Sequence, residues 1–332
     1  MPQSREANGT RAGSPILVSE NLRKFYGPRE ALRGLSFTLE AGRILGFLGP
    51  NGAGKTTAIR ILTTIMEPDA GSFTVDGIGS ENPKEIRKRI GVLPESLGFH
   101  KHMTGVESLM FFARLYGQSG KRARDNAMAL LEEVGLDARA RSLVGSYSRG
   151  MRQRLGIARS LVNSPAVVFF DEPTLGLDPR GQEELLELIR KVASERKVGV
   201  VLCSHALSEV EVICDDVIIL SMGQAVAKGT VADVIGRTQR DVMQRNSIRV
   251  RVAPETVGNA KAILERMHSV ARAVPTGEAA GWLRVDLGNG DVVNTNRLLE
   301  ALIRADVPIV TFEAEGGRLQ EVFLHLTEEA VR

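Results

Sequence analysis

The chain has 332 residues, which is long enough for two domains with well-buried cores. Its 43 basic and 40 acidic side chains leave a net charge of +3, and this near balance argues against nucleic acid as the main partner. The longest apolar runs have about six residues, far fewer than the ~20 that a membrane-spanning helix needs.

Residues 1–15 are polar and contain no apolar stretch, so we expect a disordered lead-in rather than a secretory signal. Cys203 and Cys214 are the only cysteines of the chain. Two cysteines do not make a disulfide framework, which fits a reducing compartment. We expect both to be buried free thiols, and a bridge between them stays open as the alternative.

The first domain, at 16–237, alternates short apolar runs with helical patterns. Residues 16–18 and 35–39 predict strands of a flanking antiparallel layer. Further strands are predicted at 44–48, 90–93, 166–170, 198–202 and 217–220. These five runs lack polar alternation and are separated by helices, so they indicate a parallel sheet covered on both faces. A capping box at 104–107 and a helix at 121–134 predict a mostly helical insertion in this sheet.

The composition changes near residue 238, where a polar stretch over 238–246 predicts a linker. Beyond it, residues 247–332 predict a small α+β accessory domain. Its strands are expected at 247–252, 282–287 and 307–312, and its helices at 255–267, 294–305 and 319–326. This domain has no glycine loop and no clustered metal ligands in its sequence. We therefore expect it to serve assembly or regulation and not chemistry.

The most informative segment is the glycine-rich stretch that follows the predicted strand at 44–48 and precedes a helical pattern. It reads Gly49-Pro50-Asn51-Gly52-Ala53-Gly54-Lys55-Thr56-Thr57. Strand, glycine loop and helix in this order are the context of a phosphate-binding P-loop. The glycines let successive N–H groups point at one anion, to which the helix N-terminus adds partial positive charge. Lys55 then reaches the β- and γ-phosphates, and Thr56 ligates Mg²⁺. A plain surface turn is the alternative, which the Lys-Thr pair disfavours.

The apolar run at 166–170 leads directly into two carboxylates, Asp171 and Glu172. A buried strand that ends in this way places Asp171 beside the P-loop, where it holds Mg²⁺ directly or through water. Glu172 then lies where it can orient and deprotonate a hydrolytic water. The alternative is a strand that simply enters solvent at an Asp-Glu turn, and the preceding P-loop disfavours it.

The segment that selects among P-loop families is Gly145-Ser146-Tyr147-Ser148-Arg149-Gly150-Met151-Arg152-Gln153-Arg154. It resembles the signature motif of ATP-binding cassette (ABC) ATPases, usually Leu-Ser-Gly-Gly-Gln, and matches it at Ser148 and Gly150. Tyr147, Arg149 and Met151 depart from it. The resemblance extends over the first domain and implies an α/β P-loop NTPase cassette. It also implies that Ser148 and Gly150 face the γ-phosphate of ATP held by a second subunit. A plain capped helix is the alternative.

The remaining landmarks of the family follow in order along the chain. Tyr26 matches the aromatic residue that stacks on adenine, with a buried core tyrosine as the alternative. Asp178 matches the D-loop aspartate and is also expected to cap the next helix, with Pro179 at the favoured first position. His205 matches the switch histidine that contacts the γ-phosphate, although a lone histidine is more often structural. Glu95 stands where the family has glutamine; it keeps an oxygen ligand for Mg²⁺ or water but loses the amide donor.

The segment at 317–327, the Tyr-Ser-x-Gly-Met of the signature and the Leu-Pro-Glu ending at Glu95 resemble type-2 ABC exporter ATPases, including daunorubicin-type, sodium and gliding-motility members. The resemblance implies an ATP-hydrolysing motor subunit that uses ATP and Mg²⁺ at the cytoplasmic face of the cell membrane. Its implied partners are an integral-membrane permease of about six spans, met by residues 97–104, and a second ATPase subunit, expected as a homodimer.

Two other classes of protein compete with the exporter hypothesis. One is a soluble ABC ATPase that acts on ribosomes or DNA; the single cassette and the lack of sustained heptads argue against it. The other is a regulatory protein that binds ATP without turnover. Against that hypothesis stand the intact residues Lys55, Asp171, Glu172 and His205.

Overall fold

The computed structural model describes residues 15–236, 247–276, 280–287 and 295–314, together with Leu319 and Phe323. The predicted lead-in up to residue 14, the linker at 238–246 and most of the predicted closing helix lie outside the described residues. The chain forms two compact units, the first running to Val231 and the second beginning at Ala232.

A six-stranded sheet forms the centre of the first unit, in the order β10-β9-β3-β8-β7-β6. Its strands are β3 (Ile44–Leu48), β6 (Ile90–Leu93), β7 (Val167–Asp171), β8 (Gly199–Cys203), β9 (Asp216–Ser221) and β10 (Gln224–Thr230). Five of them run parallel and only β10, at one edge, is antiparallel. The uniformly apolar runs therefore predicted the parallel core sheet correctly.

An antiparallel layer of four strands accompanies this sheet, in the order β2-β1-β4-β5. It contains β1 (Pro15–Tyr26), β2 (Arg29–Glu40), β4 (Ala70–Val75) and β5 (Ile78–Gly79). Phe37 of β2 packs edge-to-face on Phe47 of β3, with ring centroids 5.3 Å apart. Both rings are buried in one apolar cluster, which joins the two layers.

In the described part of the first unit, helices connect or cover these strands. They are α1 (Lys55–Leu62), α2 (Pro83–Arg89), α3 (Gly105–Leu115), α4 (Gly120–Glu133), α5 (Arg149–Ser160), α6 (Pro179–Arg196) and α7 (Leu207–Ile213). Short 3₁₀ turns lie at Asp137–Arg139 and Val144–Ser146. The predicted capping box of α3 is present, with the Thr104 N–H donating to Glu107 Oε2 at 2.8 Å and Glu107 N–H donating to Thr104 Oγ1 at 3.3 Å. Helices α3, α4 and α5 form the expected insertion between β6 and β7.

The second unit is a four-stranded antiparallel sheet in the order β12-β13-β11-β14. It follows the chain as β11 (Ser247–Val252), a 3₁₀ turn (Pro254–Thr256), α8 (Val257–Glu265), β12 (Val270–Pro275), β13 (Trp282–Leu287), α9 (Thr295–Arg304) and β14 (Ile309–Ala314). This βαββαβ order is that of a ferredoxin-like split βαβ fold. The unit has an apolar core of its own, which includes Val250, Leu264, Val285 and Leu302. The sequence prediction placed the other strands but missed β12.

Candidate functional site

The glycine loop predicted from the sequence connects β3 to α1. Gly52 and Gly54 adopt φ angles of +80° and +110°, a left-handed region that favours glycine. Helix α1 begins at Lys55, and within the described part of the chain no side chain caps its first turn and no acidic residue occupies it. The first N–H groups of this helix therefore remain available to an anion, in the direction that the helix dipole favours.

Lys55 folds back over this loop. Its ammonium group donates hydrogen bonds to the carbonyl oxygens of Gly49 and Pro50, the latter at 3.2 Å. Loop carbonyls are weaker partners for an ammonium group than phosphate oxygens are, because a charge-assisted bond to an anion is about twice as strong. The side chain is thus held at the mouth of the loop by contacts that an anion can replace.

A cavity of about 820 Å³ opens above the loop. Most of the site residues predicted from the sequence line this cavity. They are Tyr26, Pro50, Asn51, Gly52, Ala53, Gly54, Lys55, Thr56, Thr57, Glu95, Asp171, Glu172 and His205. Five parts of the chain that are distant in sequence therefore meet at one place. Arg29 and Arg60 also line the cavity, and the sequence analysis missed both. Arg29 is the more informative, since its guanidinium lies 3.5 Å from the Gly52 carbonyl oxygen.

Glu172 and His205 are in direct contact, because each follows the end of one of two adjacent parallel strands. Asp171 pairs with Cys203 across β7 and β8, and the Glu172 N–H donates to the Cys203 carbonyl at 2.9 Å. Glu172 has a φ angle of +50°, which is unusual for a residue with a side chain. Its Oε2 lies 2.8 Å from His205 Nδ1, and 18% of the glutamate side chain and 67% of the histidine side chain are exposed.

The carboxylates beside the cavity crowd one another. Burial raises the pKa of the Asp171 carboxyl, and the negative charges of Glu172 and Glu95 raise it further. The positive charges of Lys55 and Arg60 act in the opposite direction on that pKa. The arrangement concentrates negative charge at the end of β7. A cation bound there would reduce the repulsion between these carboxylates.

The two cysteines take no part in this chemistry. Both are buried free thiols, which confirms the prediction over the disulfide alternative. Burial raises the pKa of each thiol, and the negative charge of Asp171 adds to the effect at Cys203. A buried thiol held protonated is not a nucleophile.

Tyr26 lines the cavity and is 45% exposed. This exposure excludes the alternative interpretation of Tyr26 as a buried core residue. Its hydroxyl contacts the sulfur of Met66 at 3.3 Å. One edge of the ring is thereby held while much of its surface stays accessible, which suits stacking on a flat ligand.

Ser148, Gly150 and Asp178 do not line this cavity. They lie together at a second one, of about 470 Å³, between α5 and the loop that precedes α6. The Ser148 hydroxyl caps α5 by accepting the Met151 N–H at 3.2 Å, as the capped-helix alternative expects. Asp178 is the residue before α6 and Pro179 its first residue, as predicted. The prediction that Asp178 caps this helix is wrong, because within the described residues its side chain makes no capping hydrogen bond.

Three further residues depart from the family pattern or escaped prediction, and of these only Arg149 lines one of the two cavities. Tyr147 of the signature is buried and donates to the Arg139 carbonyl at 2.8 Å. The Arg149 guanidinium packs on Gly176, where an added Cβ would come within 2.5 Å of its central carbon. Glu209, in α7, is buried, and the sequence analysis did not identify it. The only available signal was an acidic residue in the first turn of a short apolar helix.

Among the helices that the structure describes, none combines the length and apolar character that crossing a bilayer requires. In the same residues, no group of three or more His, Cys, Asp or Glu side chains is arranged to hold a metal ion by itself.

Comparisons with known proteins agree with this geometry. The sequence pattern described as "ABC transporter" matches residues 32–175. The linearmycin resistance ATP-binding protein LnrL of Bacillus subtilis (strain 168) is 32% identical over 321 residues, 96% of this chain and 100% of that protein. The daunorubicin/doxorubicin resistance ATP-binding protein DrrA of Streptomyces peucetius is 34% identical over 314 residues, 94% of this chain and 92% of that protein.

A solved structure described as the ATP-binding subunit of an ABC transporter has the same cassette fold. It is 31% identical, with a TM-score of 0.59 over 67% of this chain and 92% of that one. The chain therefore belongs to the ABC transporter family. It is an ATP-binding subunit with ATPase activity, of the exporter type that the sequence predicted. The ribosome or DNA alternative finds no support among these relatives.

Proposed function

We propose that this chain powers the export of drug-like small molecules by hydrolysing ATP in the cavity above its glycine loop. The observation that carries the proposal is the 2.8 Å contact between Glu172 and His205 in the cavity that Lys55 also lines. A base, a group that orients it and a phosphate-binding cation thus converge on one space. The relatives named for linearmycin and daunorubicin resistance, which match nearly the whole chain, support the class of cargo.

In the proposed binding mode, ATP lies with its phosphates over α1 and its adenine on Tyr26. The N–H groups from Gly54 to Thr57 would donate to the phosphates, and Lys55 would exchange its two carbonyl partners for β- and γ-phosphate oxygens. Arg29 and Arg60 add positive charge to the same cavity. The groups that would bind the phosphates therefore already line one cavity.

Mg²⁺ fits the donor set at the strand end. Thr56, Asp171 and Glu95 supply a hydroxyl and two carboxylates beside the glycine loop, and the crowding that raises the Asp171 pKa favours a cation there. A small number of protein ligands is enough for this ion, since Mg²⁺ is usually held by one or two carboxylates together with substrate phosphates. When bound, it supplies charge neutralisation for the transferring phosphoryl group.

Glu172 acts as the general base in this proposal. It accepts a proton from the water that attacks the γ-phosphate, while His205 holds the carboxylate through its Nδ1 atom and faces the same phosphate. The strained backbone at Glu172 fixes the direction of its side chain. Because only 18% of that side chain is exposed, bulk water has limited access to the carboxylate.

A second copy of this chain completes each site in the proposed cycle. Ser148, Gly150 and Asp178 lie at a separate cavity of their own chain, so they can serve a nucleotide bound by the partner. Closure of the homodimer around two ATP molecules and reopening after hydrolysis would then move the attached membrane protein.

The membrane partner is proposed to be a permease of about six spans, met from the cytoplasmic side by residues 97–104. The described contacts give this segment a defined shape. Arg159 donates to the Leu97 carbonyl at 2.5 Å and lies over the ring of Phe99 at 4.7 Å and that of Phe112 at 5.3 Å. The guanidinium thereby ties the segment to the helical insertion.

Transport by membrane vesicles tests the proposed function. Inside-out vesicles would carry this chain with the membrane protein encoded beside it, and the uptake of daunorubicin would be followed by its fluorescence. ATP-dependent uptake is expected with the native chain and not with Lys55→Ala. Equal uptake by both, or absence of ATP turnover in the native complex, would overturn the proposal.

A further inference from the structure

Glu209 places a carboxylate inside the protein, with 8% of the residue exposed. Its Oε2 accepts two hydrogen bonds, from Thr174 Oγ1 at 2.7 Å and from Ser204 Oγ at 3.0 Å. Both hydroxyl residues are buried, and they belong to different loops, one after β7 and the other after β8. A single carboxylate oxygen therefore joins the two loops.

These loops are the ones that carry Glu172 and His205. Thr174 lies two residues beyond Glu172, and Ser204 immediately precedes His205. The Ser204 hydroxyl also accepts the Ala206 N–H at 3.0 Å, so it is held on both sides. Glu209, Thr174 and Ser204 together form a clamp between the two loops. This clamp lies next to the contact between Glu172 and His205.

The clamp explains how a strained backbone persists at the cavity. A non-glycine residue with a positive φ, such as Glu172, stays in that conformation only where its surroundings over-determine it. A buried carboxylate is costly unless it is hydrogen-bonded. If the two loops separated, the carboxylate of Glu209 would lose its donors and remain buried, so the loops are held together.

We propose that Glu209 is a positioning residue that holds Glu172 and His205 in register by clamping the loops after β7 and β8. It does not line the cavity above the glycine loop, so it acts through other residues. This inference rests on the roles proposed above for Glu172 and His205.

The first test compares Glu209→Ala with Glu187→Ala in the full chain with its membrane partner. Glu187 is an exposed glutamate on α6 and serves as the matched control. Misplacing a catalytic group by about 1 Å costs about 100-fold in rate, so kcat should fall by about 10- to 100-fold in Glu209→Ala. ATP affinity should stay within about twofold, because the glycine loop is untouched. The control should match the native chain in both.

Two further measurements separate positioning from general destabilisation. Glu209→Gln keeps an oxygen that can accept both hydroxyl bonds, so it should restore most of the rate lost in Glu209→Ala. In the nucleotide-free chain, exchange of the Glu172 amide hydrogen should be faster in Glu209→Ala and unchanged in Glu187→Ala. Native exchange in Glu209→Ala, or a kcat loss no smaller in Glu209→Gln, overturns the inference.

A double-mutant comparison distinguishes failure of this inference from failure of the proposed function. In a Glu172→Gln background, Glu209→Ala should cause little further loss of rate, because the group that it positions is already gone. Equal losses in both backgrounds overturn the positioning role alone. Native turnover by Glu172→Gln overturns the proposed function instead. If Glu209→Ala does not fold, Thr174→Val and Ser204→Ala replace it, and native kcat in both overturns the inference.

Discussion

Glu172→Gln removes the proposed base while leaving its surroundings nearly unchanged. The amide has the size of the carboxylate and can still contact His205 across 2.8 Å. The N–H bond to the Cys203 carbonyl belongs to the backbone and is unaffected. The fold and the affinity for ATP should therefore persist, whereas the amide cannot accept the proton of the attacking water.

The expected size of the effect follows from the role. A positioned general base contributes about 10²- to 10⁴-fold, so kcat should fall by at least about 100-fold, equivalent to about 2.7 kcal/mol of activation free energy. The neutral amide also removes a negative charge beside the γ-phosphate. We therefore expect the variant to accumulate as an ATP-bound dimer.

Three measurements check this prediction. Phosphate release gives kcat, titration with a fluorescent ATP analogue gives affinity, and size-exclusion chromatography with and without ATP gives the dimer fraction. Glu187→Gln, at an exposed position of α6, is the matched control and should behave as the native chain. A Glu172→Gln turnover within about threefold of the native value would refute the assignment of Glu172 as the base.

Three other substitutions have outcomes that the structure sets. Lys55→Ala removes a cation that faces the phosphates in the ground state, so ATP affinity itself should fall by about 10-fold or more in a binding titration. Thr104→Ala deletes the capping box of α3 and should lower the free energy of unfolding by about 1 kcal/mol in urea. Gly91→Ala would place a Cβ 2.0 Å from the Ser160 carbonyl oxygen and should cost about 2 kcal/mol or more in the same assay. Gly120→Ala, whose Cβ would meet nothing closer than 3.8 Å, is the control and should change stability by less than about 1 kcal/mol.

Most of the cavity could be predicted because its residues sit in short local patterns. The glycine loop contains its own turn chemistry, and Asp171 and Glu172 end a strand whose apolar run is visible in the sequence. The contact between Glu172 and His205 could not be read in the same way. It depends on β7 and β8 being neighbours, which is a property of the strand order and not of either segment.

The missed elements lack a clear local signal. Strand β12, Val270–Pro275, shifts its register against β13 between Val270 and Arg272, and two of its six residues are alanine, which has a low β propensity. Strand β4 begins Ala-Gly-Ser, and only Phe73 and Val75 are buried in it. Pairing with neighbouring strands holds these segments extended. Their own composition therefore does not predict a strand.

The burial of Glu209 could not be predicted from the sequence either, because it depends on residues elsewhere in the chain. Burial of a glutamate is unfavourable by itself, and the donors that compensate it come from Ser204, five residues away, and from Thr174, 35 residues away. The loop that carries Thr174 also begins at the proposed base and ends at Asp178 beside the second cavity. In the proposed dimer, the partner's nucleotide would therefore meet the Asp178 end of this loop. Glu172 lies at the other end, and Thr174, which Glu209 anchors, lies between the two.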